Sequence, residues 1–329
     1  MKIVIPGGSG QVGSVLARAF SDGGHDVVLL SRAPSRNPRS HGRWRAIGWD
    51  GESVGAWASE IEGADAVINL AGRSVNCRYN ARHRREIMES RTRSARAIGR
   101  AIRDAKRPPR VWLQASTATI YAHRYDAPND EATGILGGVE DDTPDTWRFS
   151  IDVATSWERA ATEIETPHTR KVLLRSAIMM SPDRGGAFDI LLGLVRRGLG
   201  GRNGDGRQYV SWIQERDFVR AVSWLMEHEL EGPVNLAAPN PLPNAEFMAA
   251  LREAWGIRFG LPASRWMLEM GAVFLRTETE LILKSRRVVP ARLLESGFVF
   301  DFPAWRAAAR DLCGRWRARL DIEADRAGN

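Results

Sequence analysis

Three glycines near the amino terminus are spaced so that the backbone can hold an anion. Gly7, Gly10 and Gly13 lie in PGGSGQVG, after an apolar strand-like run and at the start of a helical pattern. Such glycines allow a tight turn, a close approach to a pyrophosphate and close packing of helix on strand. The anion would meet free N–H groups at the helix end that begins with Gln11 and Val12. We predict a dinucleotide site, the alternative being a tight turn without a ligand.

The end of the second predicted strand indicates which dinucleotide binds. An NAD site places an acid there to hold the ribose 2′-hydroxyl, but this chain reads LLSRAPSR, with Ser31 and Arg32 in that place. A guanidinium suits a phosphate dianion, so the sequence predicts NADP(H) as the cofactor. Arg36 and Arg39 are interpreted as solvated loop charges. Asp50, after the next strand, either faces the adenine side or forms a turn.

Small residues follow the fourth predicted strand. The segment NLAG brings Leu70, Ala71 and Gly72 to the strand end, where small side chains let a cofactor pass close to the backbone. The same residues are also typical of an ordinary strand-to-loop exit. We interpret all three as cofactor contacts.

Hydroxyl-bearing residues follow the fifth predicted strand, in ASTATIYA. Ser116 and Thr117 lie at its carboxyl end, where ligands bind in open α/β sheets, and Tyr121 follows in the same loop. Their hydroxyl groups would hydrogen-bond a substrate carbonyl or alcohol, or else satisfy the loop backbone. We predict Thr117, Tyr121 and Ser116 as catalytic residues. His123 suits acid–base work, although a surface-loop role is favoured for it.

The order of apolar runs predicts the elements that position these residues. Short buried strands alternate with helical patterns, which indicates a parallel sheet covered by helices on both faces. We predict an α/β fold: a Rossmann-type doubly wound parallel sheet with a smaller, mostly helical substrate lobe. The predicted strands are 2–6, 26–30, a third strand that ends in GWDG (48–51), 64–69, 110–115, 171–175 and 234–237. The predicted helices are 11–23, 80–104, 148–164 and 215–228.

The composition of its segments predicts that the chain has two domains. The dinucleotide-binding domain is predicted to comprise residues 1–180 and 208–237. Residues 181–207 combine a helix with glycine-rich turns, and residues 238–320 begin with a proline-rich stretch, so both are assigned to the smaller lobe. The final residues, 321–329, are predicted to be a frayed tail.

The composition argues against several classes of protein. The formal charge is +7, but the 47 basic residues are scattered among 40 acidic ones and lack the clustered basic runs of a nucleic-acid site. We expect no nucleic-acid partner, and we interpret the excess charge mainly as compositional, with an anionic ligand as a secondary cause. Two cysteines, Cys77 and Cys313, are too few for a metal cluster or a disulfide framework. No metal is expected.

The sequence lacks the pattern of a secreted or membrane protein. The first apolar run is five residues long, shorter than the apolar region of a signal peptide. No window approaches the roughly 20 apolar residues of a membrane span. We therefore expect a cytoplasmic protein without a membrane partner.

GGSGQVG, NLAG and STATIY together resemble the extended branch of the short-chain dehydrogenase/reductase superfamily. Within it, the chain resembles the atypical "epimerase family" proteins (NAD-dependent epimerase/dehydratase-like), which carry a small C-terminal domain of unknown function. The segments with this narrower resemblance are EIMESR (86–91), SWIQERDF (211–218), GPVNLAAPNP (232–241) and KSRRVVPARLLESGFVFDFP (284–303). Such proteins are similar in fold to NADP(H)-binding nucleotide-sugar epimerases and dehydratases.

The resemblance implies further cofactor contacts. They fall on Ser31, Arg32, Leu70, Ala71, Glu86, Arg91 and Met179. From the residues alone, Glu86 and Arg91 indicate a solvated helix face, and Met179 equally suits the core. Glu86 and Arg91 are five residues apart, so they need not pair with each other.

The resemblance also implies a proton-transfer pair that this chain lacks. In most of the superfamily a tyrosine four residues before a lysine moves the proton, because the cation brings the phenol pKa down from about 10. In WRFSIDVATSWERAA these positions hold Ser150 and Ala154, or Phe149 and Val153 after a shift of one residue. We interpret Phe149, Val153 and Trp157 as a core-packing stripe.

A second departure lies in SWIQERD, where the family has SWIH-x-x-D. Gln214 replaces the histidine and removes a titrating group. Asp217 is interpreted as the cap of the helix that begins there, in preference to a catalytic role.

Two functions therefore stay open from the sequence. One is an NADP(H)-dependent oxidoreductase or nucleotide-sugar epimerase-like enzyme with a small polar substrate, which Thr117 and Tyr121 would polarise. The other is a non-catalytic NADP(H)-binding redox sensor that signals to a partner. The helices 80–104 and 148–164 would form a homodimer face, or else only cover the sheet.

Overall fold

The computed structural model describes residues 1–33, 44–138, 143–264, 266–267 and 280–327. The strands are β1 (Lys2–Pro6), β2 (Asp26–Ser31), β3 (Trp44–Gly48), β4 (Ala66–Asn69), β5 (Val111–Thr117), β6 (Arg170–Ser176), β7 (Ile178–Met180), β8 (Tyr209–Val210), β9 (Trp212–Gln214), β10 (Gly232–Leu236) and β11 (Leu242–Pro243). The helices are α1 (Gln11–Asp22), α2 (Ala81–Asp104), α3 (Asp145–Thr162), α4 (Ala187–Arg196), α5 (Glu215–Glu227), α6 (Asn244–Trp255), α7 (Glu280–Leu283), α8 (Ala291–Glu295) and α9 (Trp305–Ala327).

A seven-stranded sheet organises the first compact unit, which we call the sheet unit. This unit comprises residues 1–120, 136–176 and 219–235. The strand order is β10-β6-β5-β4-β1-β2-β3, with parallel pairing from β3 through to β6. The direction of strand succession reverses between β1 and β4, and ligands of open α/β sheets bind outside the strand carboxyl ends at such a point. The predicted Rossmann-type α/β fold is confirmed.

The apolar faces of α2 and α3 cover this sheet. Ile98 and Ile102 of α2 and Trp157 of α3 lie in one buried cluster with Val67 of β4 and Trp112 of β5. Each large apolar side chain buried in this way contributes about 1.5–3 kcal/mol. The two stripes seen in the sequence therefore pack on the sheet, and a homodimer face on these helices stays a prediction.

The second unit comprises residues 121–135, 177–218 and the chain from Leu236 onwards. In it β7 pairs in parallel with β9, and β8 pairs antiparallel with β11. Trp305 of α9 stacks on Phe247 of α6 with ring centroids 4.0 Å apart, and its indole N–H donates to the Phe247 carbonyl at 2.9 Å. Trp212 meets the edge of the same Trp305 ring at 5.0 Å. These aromatic rings and the helices around them thus form a second core, apart from that of the sheet.

The division between the units differs from the predicted domain boundaries. The second unit contains four segments that the sequence analysis predicts in the dinucleotide-binding domain: 121–135, 177–180, 208–218 and 236–237. The reason is long-range pairing: the Asn129 N–H donates to the Arg287 carbonyl at 2.6 Å, and the Val289 N–H donates back to Asn129 at 3.0 Å.

Asp217 does not cap a helix, contrary to the sequence interpretation. It lies inside the first turn of α5, and its buried carboxylate accepts the N–H groups of Asp301 at 2.9 Å and Phe302 at 2.8 Å. The side chain therefore fastens the chain before α9 to the start of α5.

The carboxyl-terminal tail is also more regular than predicted. Helix α9 continues past residue 320 as far as Ala327. The segment DIEADRA contains residues that favour helix, so the helix of the preceding turns propagates through it. Within the described residues no helix is both long and apolar enough to span a membrane.

Candidate functional site

A cleft of about 950 Å³ lies in the sheet unit at the carboxyl ends of β1, β2 and β4. It contains most of the predicted dinucleotide-binding residues. From the predicted set, its walls include Gly7, Gly10, Ser31, Arg32, Leu70, Ala71, Gly72 and Glu86. The glycine loop, the end of β2 and the NLAG turn therefore meet in one site, as the spacing of the motifs predicts.

Gly7 allows two strand ends to touch. Its φ is +77°, and a Cβ on it would lie 2.7 Å from the Cα and N of Ala71. At Gly13, a Cβ would lie 2.5 Å from the Cα of Gly8, so α1 packs directly on the glycine loop. The glycines are thus required by backbone contacts inside the protein as well as by any ligand.

The amino end of α1 is open to an anion. Gly10 caps the helix without a side-chain hydrogen bond, and the first N–H groups of a helix have no partner within it. The Gln11 side-chain nitrogen is buried and has no hydrogen-bond partner among the described residues. Val12 and Gly13 follow in the same first turn. The helix dipole and these donors favour a negative group here.

The end of β2 presents a free cation. Arg32 lines the cleft, is exposed, and has no acidic partner within the described part of the chain. Ser31 donates its hydroxyl to Ser9 at 3.0 Å, which links β2 to the glycine loop. Arg36 and Arg39 lie outside the described residues.

Asp50 forms a turn. Its carboxylate accepts the N–H groups of Glu52 and Ser53, both at 2.9 Å, and the Ser53 hydroxyl. The Ser53 hydroxyl and these N–H groups hold the pKa of Asp50 below its ordinary value. Of the two interpretations of Asp50, the turn matches the structure, although the residue also lines the cleft.

Glu86 and Arg91 have different neighbours on α2. Glu86 lines the cleft and pairs with Arg73 at 2.9 Å and Arg82 at 2.8 Å; the hydrogen bond from Arg82 holds the pKa of Glu86 below its ordinary value. Arg91 is half-buried behind Gly72, where a Cβ would lie 3.2 Å from the Arg91 Cζ. The solvated face inferred from the sequence is therefore wrong for Arg91.

Ser116 belongs to a buried network that the sequence did not reveal. Its hydroxyl donates to Glu158 Oε1 at 2.6 Å. Arg175 donates to both oxygens of the same carboxylate, each at 2.8 Å. All three side chains are buried. The Ser116 hydroxyl proton is thus held by Glu158, and a catalytic role for Ser116 stays a prediction.

Thr117 is the last residue of β5, and its hydroxyl group has a hydrogen that it can donate to a ligand. Its Oγ1 accepts the Thr119 N–H at 3.2 Å, and in the described part of the chain the hydroxyl hydrogen has no acceptor. This half-buried group is available to a substrate oxygen, and its catalytic role stays a prediction.

The remaining predicted site residues lie in the second unit. Tyr121 is 2% exposed and its ring packs against Gly134, where a Cβ would lie 2.7 Å from Tyr121 Cε1. Met179 is a buried residue of β7, paired in register with Ile213 of β9. Their proposed contacts with substrate and cofactor stay predictions.

Two further polar side chains of the second unit have structural partners. His123 Nδ1 accepts the Ser285 N–H at 2.7 Å. Gln214, in the position of the family's histidine, is buried; its amide nitrogen donates to Asp311 at 2.9 Å and its oxygen accepts the Arg216 N–H. Both side chains therefore stabilise local structure.

Helix α3 has no room for the missing proton-transfer pair. Ala154, one of the two positions expected for the lysine, is 0% exposed. Val153 and Trp157 are buried and Phe149 is half-buried, as the core-packing interpretation predicts. The α3 positions expected for the lysine are therefore apolar and buried.

Comparison with known sequences identifies the family. The profile of the NAD dependent epimerase/dehydratase family matches residues 3–140, and that of a domain of unknown function (DUF1731) matches residues 263–312. The human epimerase family protein SDR39U1 is 31% identical over 316 residues, which cover 95% of this chain and 99% of the relative. The chain belongs to the epimerase family. A Staphylococcus epidermidis epimerase family protein is 30% identical over 314 residues, covering 94% of this chain and 98% of its own.

Solved structures agree with this epimerase-family assignment. The structure of human SDR39U1 with NADPH has a TM-score of 0.82 and 30% identity, covering 95% of this chain and 99% of that one. A nucleoside-diphosphate sugar epimerase from Corynebacterium glutamicum has a TM-score of 0.72 and 25% identity, covering 98% of this chain and 61% of that one. The resemblance inferred from the motifs is confirmed.

Replacing Gly7 with alanine is expected to destabilise the sheet unit. The new Cβ would overlap Ala71, so we expect a loss of about 1–3 kcal/mol beyond the cost of the positive φ. The control is Gly24→Ala, at φ +79° with nothing within 4 Å, which carries only the conformational cost of about 1–2 kcal/mol. Urea unfolding measures both variants, and equal losses would contradict the close approach.

Removing Glu158 is expected to cost about 3–5 kcal/mol, because Arg175 would stay buried without its counter-ion. The matched control is Glu163→Ala, which removes an exposed pair with Arg96 just beyond the same helix and should cost at most about 1 kcal/mol. Chemical denaturation of the two variants gives the comparison. A loss for Glu158→Ala no larger than that for Glu163→Ala would show that the buried network contributes little.

Proposed function

We propose that the cleft of the sheet unit binds NADP(H), and that the protein is an oxidoreductase or nucleotide-sugar epimerase-like enzyme acting on a small polar substrate. The observation that carries the proposal is Arg32, which lies in the cleft at the strand end where an NAD site has an acid, and which has no acidic partner among the residues that the structure describes. The relative solved with NADPH supports the same choice of cofactor for this chain.

The residues of the cleft fit a dinucleotide. Gly7 and Gly10 leave the backbone uncovered, and the open amino end of α1 offers donors to a pyrophosphate. Arg32 would hold the 2′-phosphate through charge-assisted hydrogen bonds. Arg93, in the same wall, is already paired with Glu52 at 2.5 Å and Glu89 at 3.1 Å. Arg32 is therefore the better candidate for the phosphate.

The chemistry would divide between cofactor and protein. The bound nicotinamide supplies hydride transfer, and the protein orients the substrate and handles the proton. Thr117 would donate its hydroxyl hydrogen to the substrate oxygen at the carboxyl end of β5. Tyr121 was also proposed for this role, but a ring that is 2% exposed has little surface to offer a ligand.

A non-catalytic NADP(H)-binding redox sensor is the second candidate function. The observation that favours it lies on α3, where the fully buried Ala154 stands in place of a lysine. In this alternative the occupied cleft signals the redox state to a partner. For either function we propose a cytoplasmic protein that has no nucleic-acid or membrane partner and forms a homodimer in which α2 and α3 pair with a second copy.

Arg32→Ala is expected to weaken NADPH binding by roughly 10- to 100-fold and to leave NADH binding nearly unchanged, because only NADPH carries the 2′-phosphate. Nicotinamide fluorescence measures both affinities. The control, Arg103→Ala, removes the same charge from the far end of α2, where Arg103 pairs with Asp104. Equal weakening by both variants would indicate a general charge effect, and a preference for NADH in the unaltered protein would refute the cofactor choice.

Turnover separates the enzyme from the sensor. The protein with NADPH is offered a panel of aldehydes, ketones and nucleotide sugars while nicotinamide absorbance is followed. An enzyme consumes NADPH with at least one substrate, and Thr117→Ala should slow that reaction because it removes the donor to the substrate oxygen. Tight NADPH binding without turnover favours the sensor, and turnover unaffected by Thr117→Ala and Tyr121→Phe would refute both catalytic assignments.

A further inference from the structure

Arg73 is a cation of the cleft to which the cofactor motifs give no role. It follows the NLAG turn after β4, whereas Arg32 follows β2 and the glycine loop follows β1. We propose that Arg73 binds an anionic group of the substrate, a carboxylate or a phosphate close to the reacting carbonyl or alcohol. This inference rests on the proposed function and adds the chemical class of the substrate to it.

Helix α2 fixes the backbone of Arg73 on both sides. The Arg73 N–H donates to the Ser90 hydroxyl at 3.0 Å, and Arg91 Nη1 donates to the Arg73 carbonyl at 3.0 Å. Earlier in the same turn, the Ser94 hydroxyl lies 3.4 Å from the Ala71 carbonyl oxygen. The turn is thus fastened to one face of α2, and the Arg73 side chain starts from a fixed point in the cleft wall. Such preorganisation lowers the entropy cost of binding a ligand.

The guanidinium of Arg73 has hydrogens left for a ligand. Its Nε lies 2.9 Å from Glu86 Oε2, and its Nη1 donates to Cys77 Sγ at 3.2 Å. A thiol sulfur is a weak acceptor, and Nη2 has no partner in the part of the chain that the structure describes. The two Nη groups form the planar fork that binds a carboxylate or phosphate through parallel hydrogen bonds. A ligand anion that replaced the sulfur would be held by both.

Positive charge exceeds negative charge around this guanidinium. Its partner Glu86 is shared, because Arg82 donates to the other carboxylate oxygen at 2.8 Å. Arg91 adds a further cation behind the turn and contacts no carboxylate within the described residues. One carboxylate therefore faces three arginines, which favours the binding of an additional anion.

The other carboxylates that line the cleft are held by groups other than Arg73. Glu52 and Glu89 both pair with Arg93, at 2.5 Å and 3.1 Å. Asp50 accepts the N–H groups of its own turn. Of the acids in the cleft wall, Glu86 is thus the one that competes with a ligand for the Arg73 guanidinium.

Arg73 lies on the side of the cleft where the substrate is expected. The ends of β2, β1, β4 and β5 follow one another in that order across the sheet. Arg32 after β2 and the open amino end of α1 after β1 suit the phosphates of the cofactor. Thr117 ends β5, the neighbour of β4, and its hydroxyl would orient the substrate oxygen. An anion on Arg73 would therefore belong to the same molecule as that oxygen.

Paired charged and neutral compounds test the proposal. Isothermal titration calorimetry follows their binding to the complex with NADP⁺, in which a ketone cannot be reduced. The pairs are pyruvate with pyruvamide, and dihydroxyacetone phosphate with dihydroxyacetone. At least one charged compound should bind about tenfold or more tightly than its neutral partner. The first pair reports a carboxylate and the second a phosphate.

Substitutions in the cleft assign this preference to one side chain. Arg73→Gln should remove it, and Arg73→Lys, which keeps the charge without the fork, should retain part of it. Glu86→Gln should strengthen binding of the charged compound by about two- to fivefold, because the competing carboxylate is lost. The matched control is Arg85→Gln, which removes an exposed charge of α2 outside the cleft lining and should leave the preference in place.

Equal binding of charged and neutral compounds, or a preference that survives Arg73→Gln, overturns the proposal. So does a loss of NADP⁺ affinity in Arg73→Gln with the preference unchanged, which would make Arg73 a cofactor contact. Failure of the unaltered protein to bind NADP⁺ would instead refute the proposed function. The same titrations without cofactor would then decide the role of Arg73: anion binding lost in Arg73→Gln supports the site, and anion binding lost only in Arg32→Ala overturns it.

Discussion

The cleft depends on one contact, the meeting of Gly7 with Ala71 across the ends of β1 and β4. No side chain stands between the two backbones, and a Cβ on Gly7 would lie 2.7 Å from Ala71. Because these strands are the two at which the sheet reverses direction, their contact closes the floor of the crevice. Gly13 has the same effect on α1, whose open amino end is held against the loop. A ligand then finds backbone donors where side chains would otherwise lie.

The parts of the fold that could be predicted from the sequence are those with local signals. The apolar run from Lys2 to Pro6 is a strand with the predicted bounds, and α1 ends one residue before its prediction. Buried strands and amphipathic helices each show a characteristic spacing of apolar residues. This spacing can be recognised without knowing which element packs against them. The glycine motif and the residues at the end of β2 are equally local signals, so the sequence predicts that Gly7, Gly10 and Arg32 share one site, and all three line the cleft.

The parts that sequence reasoning missed depend on residues far apart in the chain. Ser116 and Glu158 are 42 residues apart, and Asp217 bonds an N–H 84 residues away. The extent of the compact units depends on such distant pairs too, since Asn129 is held by residues near 288. Signals for the network did exist: Arg175 is a charged residue in a buried strand, and such a residue requires a partner. The identity of that partner is set only by the folded sheet.

The absence of the expected lysine from α3 limits what chemistry the proposed site can perform, because Ala154, at one of its two expected positions, is fully buried. In the proposed reaction the proton would come from a protein hydroxyl, from water or from the cofactor ribose. Ser116 gives its hydrogen to the carboxylate of Glu158, and Tyr121 is buried in the second unit. In the sheet unit, Thr117 has an alcohol that is too weak an acid to ionise near neutral pH, so it would orient the substrate oxygen while water or the cofactor ribose carries the proton. Helix α3 has a structural task in either case, because its Glu158 holds Ser116 and Arg175 and its apolar residues pack on the sheet.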